Sequence, residues 1–263
     1  MSNEPFFRRD GDHYIPTPAG RGPWNPNSLH GRVIIGLLGQ VLEERHGDPA
    51  FIPARLTVDM YRLPGFEPVE VTTRMVREGG RIRVADAEFI SGGVSMARAT
   101  CQFLRRGDVP PGQVWRPQPW DVPAPQEIEP DERSGMSGMW AMRNISGGFG
   151  LAEQRRTWMS EVREIVDGSP LTPFQRVAVA ADFVSPIAHV GDQGLGYINS
   201  DVTLYLHRLP AAEWIGFETT YHGADEGVAV GEARLYDERG PIGIASCVAL
   251  SQKRPPPPPP RKD

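Results

Sequence analysis

The stretch ATCQFL (99–104) returns as ASCVAL (245–250), and YRLP (61–64) returns as HRLP (207–210), both at an offset of 146 residues. Between these anchors the copies align without a gap. Arg62, Leu63, Pro64, Glu67, Thr73, Val84, Ala87, Ala99, Cys101 and Leu104 meet identical residues at Arg208, Leu209, Pro210, Glu213, Thr219, Val230, Ala233, Ala245, Cys247 and Leu250. Self-similarity over such a span means that one structural unit occurs twice.

Each copy has the same order of elements. A helix is predicted first, over LHGRVIIGLLGQVLEER (29–45) and LTPFQRVAVAADFV (171–184). Extended runs follow: ARLTVDMYRLP, VEVTTRMVREGGRIRVADAEFI and VSMARATCQFLRR, then DVTLYLHRLP, WIGFETTYHGADEGVAVGEARLYD and IGIASCVALSQKR. Glycines at 79–80, and at 223 and 227, split the middle run of each copy into two strands. A strand also precedes each helix, in HYIPTP and in RRTWMSEVREI (155–165). One long helix with a multi-stranded antiparallel sheet, twice over, is an α+β arrangement. The expected organisation is a first unit over 1–106, a proline-rich connector over 107–135, a second unit over 136–254, and a disordered proline-rich tail over 255–263.

The net charge of −5 argues against nucleic acid as the main partner, because phosphate binding needs a basic surface. MSNEPFFRRDGDHY lacks the apolar core of a signal peptide, and VIIGLLGQVL (33–42) is too short to span a bilayer. The two cysteines, Cys101 and Cys247, have no metal-type spacing. A cytoplasmic protein with reduced thiols and no membrane partner is expected.

FQRVAVAADFVSP (174–186) carries the main chemical question. Phe174, Val177, Ala178, Ala181 and Val184 share one helical face, and Asp182 lies at its edge. In the last helical turn the macrodipole disfavours a negative charge. Asp182 is therefore either an exposed residue before a turn at Ser185-Pro186, or a carboxylate at the rim of a site, poised as a base. The repeat sets Asp182 against Gly36, so the first copy lacks this carboxylate.

His30 and Gly31 open the first helix, whose N-terminus offers free N–H groups. Gly31 would admit a carbonyl close to the backbone, and His30 would cap the helix or touch a substrate, with Ser28 as the expected N-cap. Arg32 would narrow this end or meet a phosphate. Arg62, Arg208 and His207 end strands before a turn, either as structural residues or as phosphate contacts. Cys101 and Cys247 occupy equivalent strand positions, as small core residues would. No histidine is predicted beside Cys247 to activate it.

RGPWNPNSLHGRVIIGLL (21–38), RRTWMSEV (155–162), AADF (180–183), YINSDVTLYLHRLPAAEWIGFET (197–219) and DERGPIGIAS (237–246) together resemble the TesB-like acyl-CoA thioesterase superfamily. The resemblance spans about residues 12–254 and implies a tandem double hotdog. It implies hydrolysis of acyl-CoA with no cofactor, no metal and no covalent intermediate, in a homodimer or larger assembly. The family's catalytic carboxylate falls on Asp182 and its strand hydroxyl or amide on Asn199. Asp201 and Thr203 would follow Asn199 on the same strand face, placing Thr203 with His30 and Gly31 among the substrate contacts. The family's Gln on the last strand would fall near 247–249, where this chain reads Cys-Val-Ala. That departure leaves open a non-catalytic acyl-CoA-binding protein. A hotdog enoyl-CoA hydratase is the other alternative, although its Asp and His spacing is not matched by Asp182 and His189.

Overall fold

The computed structural model describes residues 4–23, 25–118, 120–130, 140–148 and 150–252. The proline tail and part of the connector lie outside them. The first half holds β1 (Phe7–Asp10), β2 (His13–Pro16), α1 (Gly31–His46), β3 (Phe51–Met60), β4 (Val69–Glu78), β5 (Ile82–Ser91) and β6 (Val94–Arg105). The second begins with β7 (Ala141–Ser146), β8 (Arg156–Ser160), α2 (Pro173–Ala181) and α3 (Val184–His189). After a small pair, β9 (Val190–Gly191) and β10 (Gly194–Leu195), come β11 (Tyr197–Asn199), β12 (Asp201–Leu206), β13 (Ile215–Asp225), β14 (Val228–Asp237) and β15 (Gly240–Ser251).

The large sheet is antiparallel and runs β1-β2-β4-β5-β6-β3-β12-β15-β14-β13-β8-β7, with β11 paired to β15 off this path. The order is palindromic about the seam between β3 and β12. The offset of 146 carries the ends of β5 onto those of β14, and the ends of β6 onto those of β15. At the seam Thr57 pairs with Thr203, its own repeat equivalent, and the hydroxyls meet at 3.2 Å. Val58 opposite Val202 and Leu56 opposite Leu204 are the same contact seen from either copy.

One face of this sheet is packed with Leu56, Val58, Cys101, Phe103, Val202, Leu204, Ala233 and Ala245, and the helices lie against it. α1 and α2 pack closely because α1 carries two glycines. A Cβ on Gly39 would sit 3.1 Å from that of Ala178, and one on Gly36 would sit 2.6 Å from Val179 Cγ2. On the other face of the second half the connector lays Trp120 over Tyr236, with ring centroids 4.1 Å apart.

Four expectations are corrected. The second helix stops at Ala181 and restarts at Val184, so Ser185 and Pro186 lie in α3 rather than in a turn. Pro186 has no N–H for the Asp182 carbonyl four residues back, and its ring would collide with that carbonyl. His30, not Ser28, caps α1, accepting the Arg32 N–H at Nδ1 (3.2 Å). α2 starts at Pro173, 142 residues after Gly31, so counting from the helix starts pairs Asp182 with Gln40 rather than Gly36. Gly223 lies inside β13, and the turn falls at Glu226-Gly227, both at positive φ.

Candidate active site

The helix break puts Asp182 at the C-cap of α2, and its carboxylate crosses to the N-terminus of α1. There the end of a second dipole favours the charge that its own helix disfavours. A Cβ on Gly31 would lie 2.8 Å from Oδ1 and 3.0 Å from Oδ2, so only glycine admits the carboxylate at this approach. Asn199 Nδ2 donates to Oδ1 at 3.0 Å, and His30 Nδ1 stands 3.1 Å from Oδ2.

His30 Nδ1 thus faces two partners, the Arg32 N–H and Asp182 Oδ2. With the Arg32 N–H donating, Nδ1 carries a lone pair and the ring proton is on Nε2. With Nδ1–H donating to Asp182, the Arg32 bond is given up. A proton at this contact therefore decides which hydrogen bond exists.

These groups open on a cavity of about 190 Å³. Its polar wall is His30, Gly31, Asp182 and Asn199, and its apolar wall includes Leu29, Ile34, Met60 and Ile198. Tyr61 and Arg62 stand exposed at its edge. Asn199 pairs in register with Ala249, so the last strand presents a methyl group opposite the amide.

The structure thus brings together Asp182, Asn199, His30 and Gly31. Thr203 is elsewhere. The strand is interrupted at Ser200, so alternation does not carry across it, and Thr203 shares with Tyr205 the face opposite the buried Val202 and Leu204. Arg32 does not reach solvent. Its guanidinium bonds Glu161 at 2.7 Å and lies over the Trp140 ring at 4.1 Å. Burial pulls its pKa down to about 10 despite Glu161, a value that still leaves it charged.

The duplicated arginines have diverged. Arg208 is locked to Asp237 by two bonds of 2.6 Å. The repeat equivalent of Asp237 is Ser91, and Arg62 has no side-chain partner among the described residues.

Cys247 does have a histidine beside it, contrary to expectation: His189 Nε2 lies 3.4 Å from Sγ, and His189 Nδ1 is 3.0 Å from His222 Nδ1. Burial, with Asp201 and Asp182 adding to it, pushes the thiol well up, while burial and His222 bring His189 down to about 4. Both groups stay neutral at pH 7, so the pair is not an activated nucleophile. Sequence reasoning missed Tyr61 at the mouth. Its only signal was the Tyr61/His207 mismatch within an otherwise matched repeat motif.

Two family models cover most of the chain. The acyl-CoA thioesterase N-terminal domain matches residues 20–110, and the acyl-CoA thioesterase C-terminal domain matches residues 117–250. A hot dog fold protein of unknown function from Alicyclobacillus acidocaldarius is similar at 17% identity, with 94% of this chain and 95% of that one covered and a TM-score of 0.72. A tesB protein of Mycobacterium avium subs paratuberculosis is similar at 14% identity, covering 94% and 96%, with a TM-score of 0.70. The acyl-CoA thioesterase II TesB2 from Mycobacterium marinum is similar at 16% identity, covering 93% and 94%, with a TM-score of 0.61. At these identities the likeness is one of fold. No curated protein matches the sequence. Among the described residues no helix is long and apolar enough to cross a membrane.

Proposed function

Because the chain belongs to the acyl-CoA thioesterase family, we propose that it hydrolyses an acyl-CoA to the free acid and CoA, with water activated at Asp182. In this reading each half is a hotdog, and the single site lies between α1 and the α2–α3 break. The observation that carries it is the buried Asp182 carboxylate, held by Asn199 and His30 at the edge of a cavity.

Asp182 takes a proton from water as the water oxygen bonds to the thioester carbonyl carbon. Asn199 donates through Nδ2 to Asp182 and keeps Oδ1 for the water. No Gln completes this cradle, since Ala249 stands opposite Asn199, and Asp182 and Asn199 hold the water by themselves. The carbonyl oxygen gains negative charge at the N-terminus of α1, where the helix dipole stabilises it.

The tetrahedral adduct then collapses, the C–S bond breaks, and the sulfur leaves with the electron pair. His30 supplies the return path for the proton. In the tautomer that accepts the Arg32 N–H, Nε2 bears hydrogen. Protonated Asp182 donates to Nδ1 across the 3.1 Å contact, and Nε2–H passes its proton to the sulfur. Proton transfer of this kind contributes roughly 10²–10⁴ in rate. Arg62, unpaired at the mouth, meets a CoA phosphate.

The test is thiol release from a panel of acyl-CoAs of graded length, with wild type and Asp182→Asn. Release by wild type and its loss in the variant are expected. Tight acyl-CoA binding without release would instead establish a binding protein.

A further inference from the structure

A second cavity, of about 1040 Å³, is larger than the one at Asp182. It lies on the opposite face of the sheet, at the seam between the halves, roofed by connector residues Arg116–Gln118 and Trp120. Asn199 and Tyr205 are six residues apart in the chain, which puts the two cavities about 20 Å apart, with the sheet between them.

Its charge is one-sided. Arg55, Arg116, Arg234, Arg239 and His207 line it, with Glu238 as their one carboxylate. Glu238 already accepts a hydrogen bond from Gln126, and Arg234 is shared with Glu218 and the Tyr236 hydroxyl. Arg55, Arg116 and Arg239 have no ion pair among the described residues. In a chain with more acidic than basic residues, such an unpaired cluster is not the average surface.

The floor beneath these arginines is flat and apolar, made by Leu104, Tyr205 and Ile244. Strand register places Arg55 between Tyr205 and Gln102 at the centre of that floor.

Cationic forks beside a flat apolar floor fit a ligand with several phosphate oxygens and a planar ring. A lone phosphate would leave the floor bare and most of the volume empty. We propose that this cavity binds a nucleoside di- or triphosphate, its phosphates on Arg55, Arg116 and Arg239 and its base on Tyr205, Leu104 and Ile244. The site is independent of the chemistry at Asp182.

The test is calorimetric titration of the full chain with ADP, ATP, CoA and inorganic pyrophosphate. Wild type should bind ADP or ATP at micromolar concentrations, more weakly as salt rises. Arg55→Ala should weaken binding at least tenfold. Arg116→Ala, on the connector and outside the sheet core, should do the same with the melting temperature unchanged. Asp182→Asn should bind as wild type does, which separates this cavity from the proposed active site. Unchanged affinity in both arginine variants, no binding at millimolar nucleotide, or pyrophosphate binding as tightly as the nucleotides would overturn the proposal.

Discussion

Asp182 and Glu43 each set a carboxylate against the N-terminal end of the opposite helix. Glu43, on α1, accepts from the Thr172 hydroxyl at 2.6 Å and from Gln175 Nε2 at 2.9 Å, both in the capping box of α2. Asp182 meets Asn199 and His30 at the first turn of α1 and opens on a cavity. One arrangement is closed by its own neutral donors, and the other keeps a face toward a cavity. Asp182→Asn should therefore lower kcat by at least about 10² with little change in melting temperature. Glu43→Gln should leave kcat unchanged. Burial raises the Glu43 carboxyl above its ordinary value, against the two hydrogen bonds, so ionising it costs folding free energy. The variant should gain relative to wild type as pH rises above the carboxylate range. Denaturant titrations at pH 4 and pH 8 check the sign.

Gly31→Ala isolates the close approach. The new Cβ would fall 2.8 Å from Asp182 Oδ1 and must push the carboxylate aside. Alanine is the better helix former by about 1 kcal/mol, which offsets part of the strain in stability. The expected result is a tenfold or larger loss of kcat/KM with a melting temperature within a few degrees of wild type. Full activity in this variant would show that the carboxylate does not work from the observed position.

The role of His30 is read from the leaving group. His30→Gln should slow hydrolysis of acyl-CoA by roughly 10² if Nε2–H protonates the departing sulfur. An aryl thioester, whose thiolate leaves without a proton, should lose far less. Asp182→Asn should lose activity on both substrates. Equal losses from His30→Gln on the two would assign His30 to positioning Asp182 alone.

Arg62→Ala should raise KM severalfold and leave kcat within a factor of two, because a phosphate contact at the mouth acts on binding. The difference from wild type should shrink with salt, as for any exposed ionic contact. Arg208→Ala should act on stability instead, since it leaves the fully buried Asp237 side chain without its guanidinium.

His189 makes a prediction about acid. Burial and His222 hold its pKa down to about 4, so the folded chain resists a proton that the unfolded chain accepts near 6.5. Stability from this group is complete above pH 6.5 and is lost as pH falls toward 4. His189→Gln should flatten the stability profile across that window. Chemical denaturation at half-unit steps of pH measures it.

The repeat makes the sheet legible in the sequence. Ten identities at one offset placed β5 on β14 and β6 on β15, because side-chain alternation ties a gap-free strand alignment to a common face. The helices were less legible. Packing sets where they begin, and one proline sets where the second breaks. At the site, the helix pattern singled out Asp182, the resemblance chose between its two readings and added Asn199, and both residues line the cavity. The meeting of Asp182 with His30 came from neither, since it depends on two antiparallel helices about 150 residues apart in the chain. Thr203 was misplaced because one residue outside the ladder, Ser200, resets which face its successors present. Arg32 was misread because the chain supplies it with an inward partner, Glu161, from a remote strand end.

The meeting of Thr57 with its own counterpart Thr203 has a consequence for descent. The seam joins two like edges about a local twofold axis, as two separate copies of an ancestral half would join. Fusing such copies makes their encounter intramolecular, so the pair stays together at any dilution. It also ends the obligation to change both halves at once. In a symmetric pair every substitution appears twice. Here Asp237 could tie down one arginine while Ser91 left the other free, and the second copy could carry a carboxylate at a cavity where the first carries none.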